Sequence, residues 1–362
     1  MTIMPDHSSH VIGGVDTHGD AHHAAVIDPL GRHLADREFP ATRAGYRSLE
    51  SWLRSHGTVA AIGIEGTGAY GAELARTLTR SGLKVIEVDR PDRKTRRLRG
   101  KSDPIDAYAA AAAVTSGRST GTPKTRDGIA EAIRALRVPL RSAVKARTQA
   151  INQARQLLVT APESVRAPLR NRAWRDLARA CAQLRPADLS DPLGATKAAL
   201  RRLGRRILTL SDEIEELNET LASLTAQAAP ELIALKGVGP DVAGQLLATV
   251  GDNPDRLRSE AAFAHLCGVA PIPASTGRKD RHRLNRGGDR AANHALHTIV
   301  LCRMRWDERT RAYVERRTQQ GLSKKDIMRC LKRYVAREVY KALTARLHHS
   351  VMPVSAPTAL AA

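Results

Sequence analysis

The sequence predicts an α/β domain at the N-terminal end, followed by a mostly α-helical remainder. Short apolar runs alternate with helical patterns up to about residue 120. A heptad repeat of apolar residues then runs through the middle of the chain. Beyond residue 230, helical patterns separated by tight turns predict a second compact unit. With 362 residues, the chain is long enough for more than one core.

The first part of the chain predicts three early strands and then alternating helices and strands. This order is typical of a ribonuclease-H-like domain. The predicted strands lie at 11–15, at 24–27, after the turn at 29–32, at 59–64 and at 85–88, and the predicted helices at 42–55, 68–81 and 104–116.

The heptad repeat runs from Leu200 to Leu224, with eight apolar residues spaced alternately by three and four. A less regular apolar seam from Ile129 to Leu158 predicts an earlier helix, which Pro139 is expected to kink. The long seam must pack either against the earlier helix or against a second subunit, and the residues leave both arrangements open. We therefore predict an α/β domain, a helical coiled-coil linker, a mainly helical C-terminal domain and a disordered tail, at residues 1–125, 126–230, 231–345 and 346–362.

The composition indicates a nucleic-acid partner. Lys and Arg number 58 against 37 Asp and Glu, for a formal charge of +21, and phosphate neutralisation supplies most non-specific affinity for nucleic acids. Aromatic residues make up 3%, which disfavours a protein that binds single strands by base stacking. No signal peptide or membrane span is predicted, and the four cysteines lack metal-binding spacing. We expect a cytoplasmic protein with reduced thiols and no membrane partner.

Four carboxylates in this basic chain are candidates for a metal site. Asp16 and Glu65 each end a predicted strand, and Asp103 and Asp106 begin the Ala-rich helix on one face. Taken singly, each acid is more simply a solvated residue or a helix cap, and Asp103 before Pro104 would make a good N-cap. Taken together, clustered acids repel one another. Mg²⁺ would remove that cost, and two such ions are the usual apparatus for phosphodiester chemistry.

The histidines that follow the first strand, His18, His22 and His23, are expected to form a polar turn. Imidazole is not a preferred Mg²⁺ ligand, and no cysteine lies nearby to complete a transition-metal site.

The segment 235–252 has the pattern of a helix–hairpin–helix. Gly237 and Gly239 permit a tight bend, and Pro240 begins the second helix. Such a motif binds a DNA phosphate through main-chain N–H groups. A purely structural turn between two helices is the alternative.

The segment 271–296 is the second candidate for chemistry. Ser275 and Thr276 place two hydroxyls ahead of a dense group of cations, which can hold a scissile phosphate while a hydroxyl attacks phosphorus. A phosphate-binding loop without a nucleophile is an equal alternative. The basic residues of this segment are Arg278, Lys279, Arg281, Arg283, Arg286 and Arg290.

Two further basic stretches are predicted to contact a nucleic-acid backbone, with a solvated face as the alternative. The first contains Arg93, Lys94, Arg96, Arg97, Arg99 and Lys101. The second, on the last helix, contains Lys324, Lys325, Arg329, Lys332, Arg333 and Arg337.

Taken together and in this order, GVDTHGDAHHAAVID, IGIEGTGAYG, KSDPIDA, LKGVGP and GVAPIPASTGRKDRHRLNRGGD resemble the DEDD transposases of the insertion-sequence-110 family. The resemblance spans about residues 11 to 345. It implies a RuvC-like N-terminal domain whose Mg²⁺-binding tetrad is Asp16, Glu65, Asp103 and Asp106, and a nucleophilic serine in the C-terminal domain. It also implies donor and target DNA, a structured bridging RNA that guides the enzyme, and a homo-oligomer, either a dimer or a tetramer.

The chain departs from this family at the nucleophile. The family's serine stands immediately before a glycine, where this chain has Thr276, with Ser275 one position earlier. Ser275 is favoured, because the methyl group of a threonine crowds in-line attack. We expect a metal-dependent transposase that cuts and rejoins DNA strands. The alternatives are a hydrolytic Holliday-junction-resolving or ribonuclease-H-like nuclease and a non-catalytic nucleic-acid-binding scaffold.

Overall fold

The computed structural model describes residues 10–88, 102–275 and 281–349. The chain forms two compact units, Met1–Asp127 and Gly128–Ala362. An α/β region followed by a mostly helical region is therefore confirmed. The ribonuclease-H-like assignment, the coiled coil and the four-segment division stay predictions.

The first unit is built on a five-stranded sheet with the order β3-β2-β1-β4-β5. The first three strands form an antiparallel meander, and β4 and β5 run parallel to β1. Each predicted strand and helix of this unit is present, with its ends shifted by a few residues. The elements are β1 (His10–Thr17), β2 (Ala21–Ile27), β3 (His33–Pro40), α1 (Arg43–Ser55), β4 (Thr58–Glu65), α2 (Ala72–Arg80), β5 (Val85–Val88) and α3 (Asp103–Thr115).

Helices cover both faces of this sheet. On one face, Leu49 and Leu53 of α1 and Leu74 and Leu78 of α2 are fully buried in the main apolar core of the unit. On the other face, the Ala-rich α3 packs across β1, β2 and β4. Small residues allow this close packing, because a Cβ at Gly63 would lie 2.7 Å from the carbonyl oxygen of Ala110.

The second unit is dominated by two long antiparallel helices and a cluster of shorter ones. Its helices are α4 (Ile129–Thr160), α5 (Glu163–Arg166), α6 (Trp174–Ala182), α7 (Pro192–Ala228), α8 (Pro230–Ile233), α9 (Pro240–Val250), α10 (Glu260–Leu266), α11 (Arg290–Trp306), α12 (Glu308–Gln319) and α13 (Lys324–His349). A one-turn 3₁₀ helix lies at Pro254–Arg256. Residues 350–362, most of the predicted tail, lie outside the described ranges.

The heptad seam folds back on the earlier helix, since α7 packs lengthwise against α4. Leu200 and Ile207 are buried with Ala150 and Ala154 of α4. Towards the other end of the seam, buried residues of α7 and α4 join the core of the C-terminal region. That core contains Ile133, Leu140, Ile214, Leu221, Leu246, Phe263, Leu296 and Val339.

The C-terminal region also holds a small hairpin that the sequence analysis did not predict. Its strands β6 (Ile272–Pro273) and β7 (His282–Arg283) are antiparallel and only two residues long. Strands of this length are too short to show an alternating pattern, so the segment resembled a loop. Within the described ranges, every helix is too short or too polar to traverse a lipid bilayer.

Candidate active site

Asp16 and Glu65 lie side by side at one end of the sheet. In the parallel pair β1–β4, Val15 is opposite Ile64, so the two acids occupy the next step of the register. The hydroxyl of Thr17 donates a hydrogen bond of 2.8 Å to the main-chain oxygen of Glu65, which fixes the two strand ends together. The strands that carry these two acids are therefore direct neighbours in the sheet.

Both side chains point to the sheet face that α3 covers. Gly14 and Gly63 contact α3, and residues two positions apart on a strand share a face. Asp16 and Glu65 each lie two positions beyond one of these glycines. Because side chains alternate between the two faces of a strand, both carboxylates point towards α3.

The first turn of α3 supplies the other two acids. Asp106 is almost fully buried at 2% exposure, whereas about half of the Asp103 side chain is exposed. Ser102 occupies the N-cap position, which corrects the alternative that Asp103 is the cap. The positive end of the helix dipole lies in this first turn and favours the negative charge there.

His18 lies in the turn between β1 and β2, as expected, and its ring also joins this carboxylate cluster. Its Nε2 lies 3.1 Å from Oδ2 of Asp16 and 3.3 Å from Oδ1 of Asp103. The imidazole thus bridges an acid of the sheet and an acid of α3. His22 and His23 lie on β2 instead, where His22 is fully buried and His23 contacts Asp36 at 2.7 Å.

The electrostatics of Asp16 reflect this crowding. Burial is the main cause that raises the pKa of Asp16 above its usual value. The neighbouring His18 opposes the rise, and repulsion from Asp106 and Asp103 adds to it. Asp16 is only 7% exposed. An additional cation beside Asp16 would therefore stabilise its charged form.

These donors fit a divalent metal ion. One ligand atom each from Asp16, His18 and Asp103 lie within 4.8 Å of one another. Two oxygens on one Mg²⁺ are at most about 4.2 Å apart, twice the metal–oxygen distance of about 2.1 Å, so small side-chain adjustments suffice. Carboxylate oxygens are the ligands that Mg²⁺ prefers, and imidazole is better suited to orienting them.

Ser275 lies in the second unit, two residues after β6 in the connection that leads to β7. Its Oγ accepts a hydrogen bond of 3.2 Å from the main-chain N–H of Arg281, and Ala274 N–H donates to the Arg281 oxygen at 2.8 Å. The hairpin thus holds the Ser275 main chain at an exposed position. Thr276, the alternative nucleophile, lies outside the described residues.

The described basic residues of this segment are all exposed: Arg281, Arg283, Arg286 and Arg290. Arg290 begins α11, whose N-cap Asp289 accepts hydrogen bonds from two main-chain N–H groups and from Thr249. The predicted basic residues of the last helix, Lys324, Lys325, Arg329, Lys332, Arg333 and Arg337, lie within the described ranges. Eight other predicted phosphate ligands lie outside them, namely Arg93, Lys94, Arg96, Arg97, Arg99, Lys101, Arg278 and Lys279.

The predicted hairpin motif at Gly237 and Gly239 is a tight turn between α8 and α9. Gly237 has a φ of 84°, a left-handed conformation that favours glycine. Gly239 is the N-cap of α9, with Pro240 as its first residue. The helix before the turn is a single turn of four residues, shorter than the sequence pattern indicated. Binding of a phosphate here stays a prediction.

Comparisons with known proteins match two separate regions of the chain. A transposase family model for DEDD enzymes of the IS110 type matches residues 13–161, and a second, described as Transposase IS116/IS110/IS902 family, matches residues 229–315. A curated protein of Streptomyces coelicolor, named as a mini-circle transposase for IS117, is 26% identical over 334 residues. That alignment covers 76% of this chain and 80% of the relative.

The chain belongs to the IS110 family of transposases. In this transposase, the first matched region contains the four acids and His18, and the second contains the Gly237 turn and the Ser275 hairpin. His18 is the site residue that the sequence reasoning missed. Its position two residues after Asp16 was the available signal, because that spacing keeps both side chains on one side of an extended chain.

Proposed function

We propose that this transposase cuts and rejoins DNA strands at a Mg²⁺ site formed by Asp16, Glu65, Asp103 and Asp106. The observation that supports it is the convergence of two strand ends and one helix start on the same face of the sheet. Four acids from three separate stretches would repel one another without a cation between them. The strongly basic remainder of the chain suits a polyanionic substrate.

Mg²⁺ at this position would polarise the scissile phosphate and lower the pKa of an attacking hydroxyl. The side chains around this position would hold the ion and orient its ligands. His18 orients Asp16 and Asp103, and the buried Asp106 lies near enough to Asp16 to influence its electrostatics. The dipole at the start of α3 helps to hold the four negative charges in place.

Ser275 is the proposed nucleophile, with Thr276 as the alternative. Its oxygen forms a bond to phosphorus while the bond from phosphorus to the 3′-oxygen breaks, and the proton is transferred to that oxygen. The 3′-hydroxyl of another strand then displaces serine, so the energy of the phosphoester is conserved without ATP. This scheme requires the hairpin and the carboxylate cluster to meet on the DNA, within one subunit or between subunits.

We further propose that a structured bridging RNA, encoded beside the gene, pairs with donor and target DNA and thereby guides the enzyme. The excess of positive charge in both basic stretches and in the 271–296 segment supports binding of several nucleic-acid strands at once. A homo-oligomer of two or four chains would present at least two active sites to the two duplexes.

The decisive experiment traps the covalent intermediate. The full-length transposase is combined with its own flanking DNA and the RNA transcribed from it, and the reaction is denatured to detect protein attached to DNA. We expect Ser275→Ala to remove the adduct and Thr276→Ala to retain most of it. Asp16→Asn is expected to abolish both adduct and products, with Asp20→Asn, in the exposed turn after β1, as the matched control.

The result separates this proposal from a hydrolytic nuclease. If Ser275→Ala and Thr276→Ala each leave the adduct and products unchanged, the hydroxyl assignment is wrong. An end-labelled four-way junction that yields nicked products and never a rejoined strand would instead favour water as the nucleophile. Nucleic-acid binding by Asp16→Asn that equals wild-type binding and needs no Mg²⁺, with no cut or rejoined product from either protein, would indicate a non-catalytic scaffold.

A further inference from the structure

A basic cavity of about 600 Å³ lies between the β6–β7 hairpin and one face of α13. The segment 268–271 and Arg283 line one side, and Arg329, Lys332 and Arg333 line the other. All of these residues belong to the second unit of the chain. The cavity is therefore formed by elements that are packed together within one compact body.

Three of the cations that line this cavity have carboxylate partners. Arg329 forms an ion pair of 2.6 Å with Asp326, one turn earlier on the same helix. Arg333 pairs with Glu260 at the start of α10, and Arg337 approaches the same carboxylate at 3.6 Å. These pairs hold the wall of the cavity in place and leave part of its charge uncompensated.

Lys332 and Arg283 differ from these residues. Nζ of Lys332 donates a hydrogen bond of 2.9 Å to the amide oxygen of Asn293, which carries no charge. Across the three described ranges, neither Lys332 nor Arg283 forms an ion pair with an acid. Burial lowers the pKa of Lys332, and the charge of Arg329 lowers it further. Lys332 in turn adds to the effect of burial on His297, whose pKa is also lowered.

An anion in the cavity would compensate these charges. Burying a cation is costly unless an opposite charge and hydrogen bonds accompany it. A phosphate oxygen accepts hydrogen bonds from both lysine and arginine, and its charge would favour the charged form of Lys332. The geometry thus offers a phosphate two cations that lack acidic partners, in a cavity whose wall is held by ion pairs.

The cavity shares its hairpin with the proposed nucleophile. Arg283 is paired with Ile272, three residues before Ser275. Three residues of extended chain span about 10 Å, which corresponds to about three nucleotides of a stacked strand at about 3.4 Å each. We propose that this cavity binds a backbone phosphate of the nucleic-acid strand that passes Ser275, with Lys332 and Arg283 as its direct ligands.

This inference rests on the proposed strand chemistry at Ser275, and it assigns a separate task, which is to hold the strand in register beside the nucleophile. Phosphodiesters of DNA and of RNA offer the same oxygens. The source of the phosphate is therefore decided by experiment.

The test measures binding of the full-length protein to a duplex DNA and to an RNA hairpin by fluorescence anisotropy, without Mg²⁺, over a range of salt concentrations. A lost phosphate contact reduces the slope of log K against log salt by about 0.9 on duplex DNA and about 0.7 on a single strand. We expect this reduction for Lys332→Gln and for Arg283→Gln. Lys341→Gln, exposed on the same helix and outside the cavity, is expected to keep the wild-type slope.

The outcomes are distinct. A reduced slope on DNA alone assigns a DNA phosphate to the cavity, and a reduced slope on RNA alone assigns an RNA phosphate. Unchanged slopes for Arg283→Gln on both probes overturn the inference, and this variant is at an exposed position where folding is not at risk. If that same variant still forms the covalent adduct, only the inference about the cavity fails, and the proposed chemistry at Ser275 is unaffected. If the wild-type protein binds neither probe, the inference and the proposed function both fail.

Discussion

Gly14 of β1 lies against the main-chain carbonyl of Ala107 in α3, with no room for a Cβ between them. A methyl group at Gly14 would also meet the main-chain nitrogen and Cβ of Ala111. This contact sets the distance from α3 to the sheet. Since Asp103 and Asp106 begin the same helix, it also sets their distance from Asp16.

Gly14→Ala is therefore expected to disturb the site indirectly, by displacing the helix that carries Asp103 and Asp106. The added methyl group must push α3 away, which we expect to lower the free energy of unfolding by about 1–3 kcal/mol. Activity should fall further, because a displacement of about 1 Å at a reacting site can cost about 100-fold. Denaturant unfolding and strand exchange at saturating Mg²⁺ measure the two effects. The control is Gly121→Ala, whose Cβ would contact Glu87 at an ordinary 3.7 Å. Similar losses in both variants would contradict this explanation.

His18→Ala tests whether the imidazole orients the carboxylates. We expect the Mg²⁺ concentration for half-maximal strand exchange to rise by about 10–100-fold, the usual cost of losing a residue that orients metal ligands. A Mg²⁺ titration of the initial rate measures this directly. His23→Ala is the matched control, because its ring contacts Asp36, outside the cluster. A His18→Ala titration that superimposes on the wild type would show that the imidazole is a bystander.

His22 makes the first unit sensitive to acid. The residue is fully buried, stacks on Tyr46 at 5.6 Å, and lacks a well-aligned hydrogen-bond partner for either ring nitrogen among the described residues. Burial lowers the pKa of His22. The unfolded chain therefore binds the proton more readily than the folded one. The contribution to stability is fully present above the unfolded pKa of about 6.5 and is lost as the pH falls through the lower folded pKa.

His22→Phe should remove this dependence while keeping the stacked ring. We expect the wild-type free energy of unfolding to decrease from pH 8 to pH 5 more steeply than that of His22→Phe, as followed by denaturant titration at each pH. His10→Phe, at an exposed position of β1, is the control. Parallel pH profiles for wild type and His22→Phe would contradict the assignment.

Asp252 caps a helix that begins far away in the sequence. Its Oδ1 accepts a hydrogen bond of 2.7 Å from Ala130 N–H, and its Oδ2 accepts one of 3.2 Å from Glu131 N–H. The local N-cap position of α4 is Gly128, which has no side chain to perform this role. Asp252→Ala should cost about 0.5–2 kcal/mol of unfolding free energy, measured by denaturant unfolding. Asp255→Ala, at an exposed position nearby, should change it little, and an equal effect would refute the cap.

Much of the first unit was predictable because its signals are local. The strands before Asp16 and Glu65 are short apolar runs, and the helix after Ser102 is a run of alanines. The periodicity of these elements, and the residues that begin and end them, can be recognised from neighbouring positions alone. This local information was sufficient to place the four acids at the ends of strands and at the start of a helix. The β6–β7 hairpin was missed for the opposite reason, since two-residue strands have no period.

The sequence alone determined the strands and helices of the first unit, the acids at their ends, and that the chain is basic enough to bind nucleic acid. The tertiary structure decided which partners meet: that the heptad seam packs on α4, that His18 bridges Asp16 and Asp103, and that Asp252 caps α4. Local patterns follow from steric and hydrogen-bonding preferences of adjacent residues. Contacts between distant residues depend on how whole elements pack, and single-sequence periodicity carries no record of that packing.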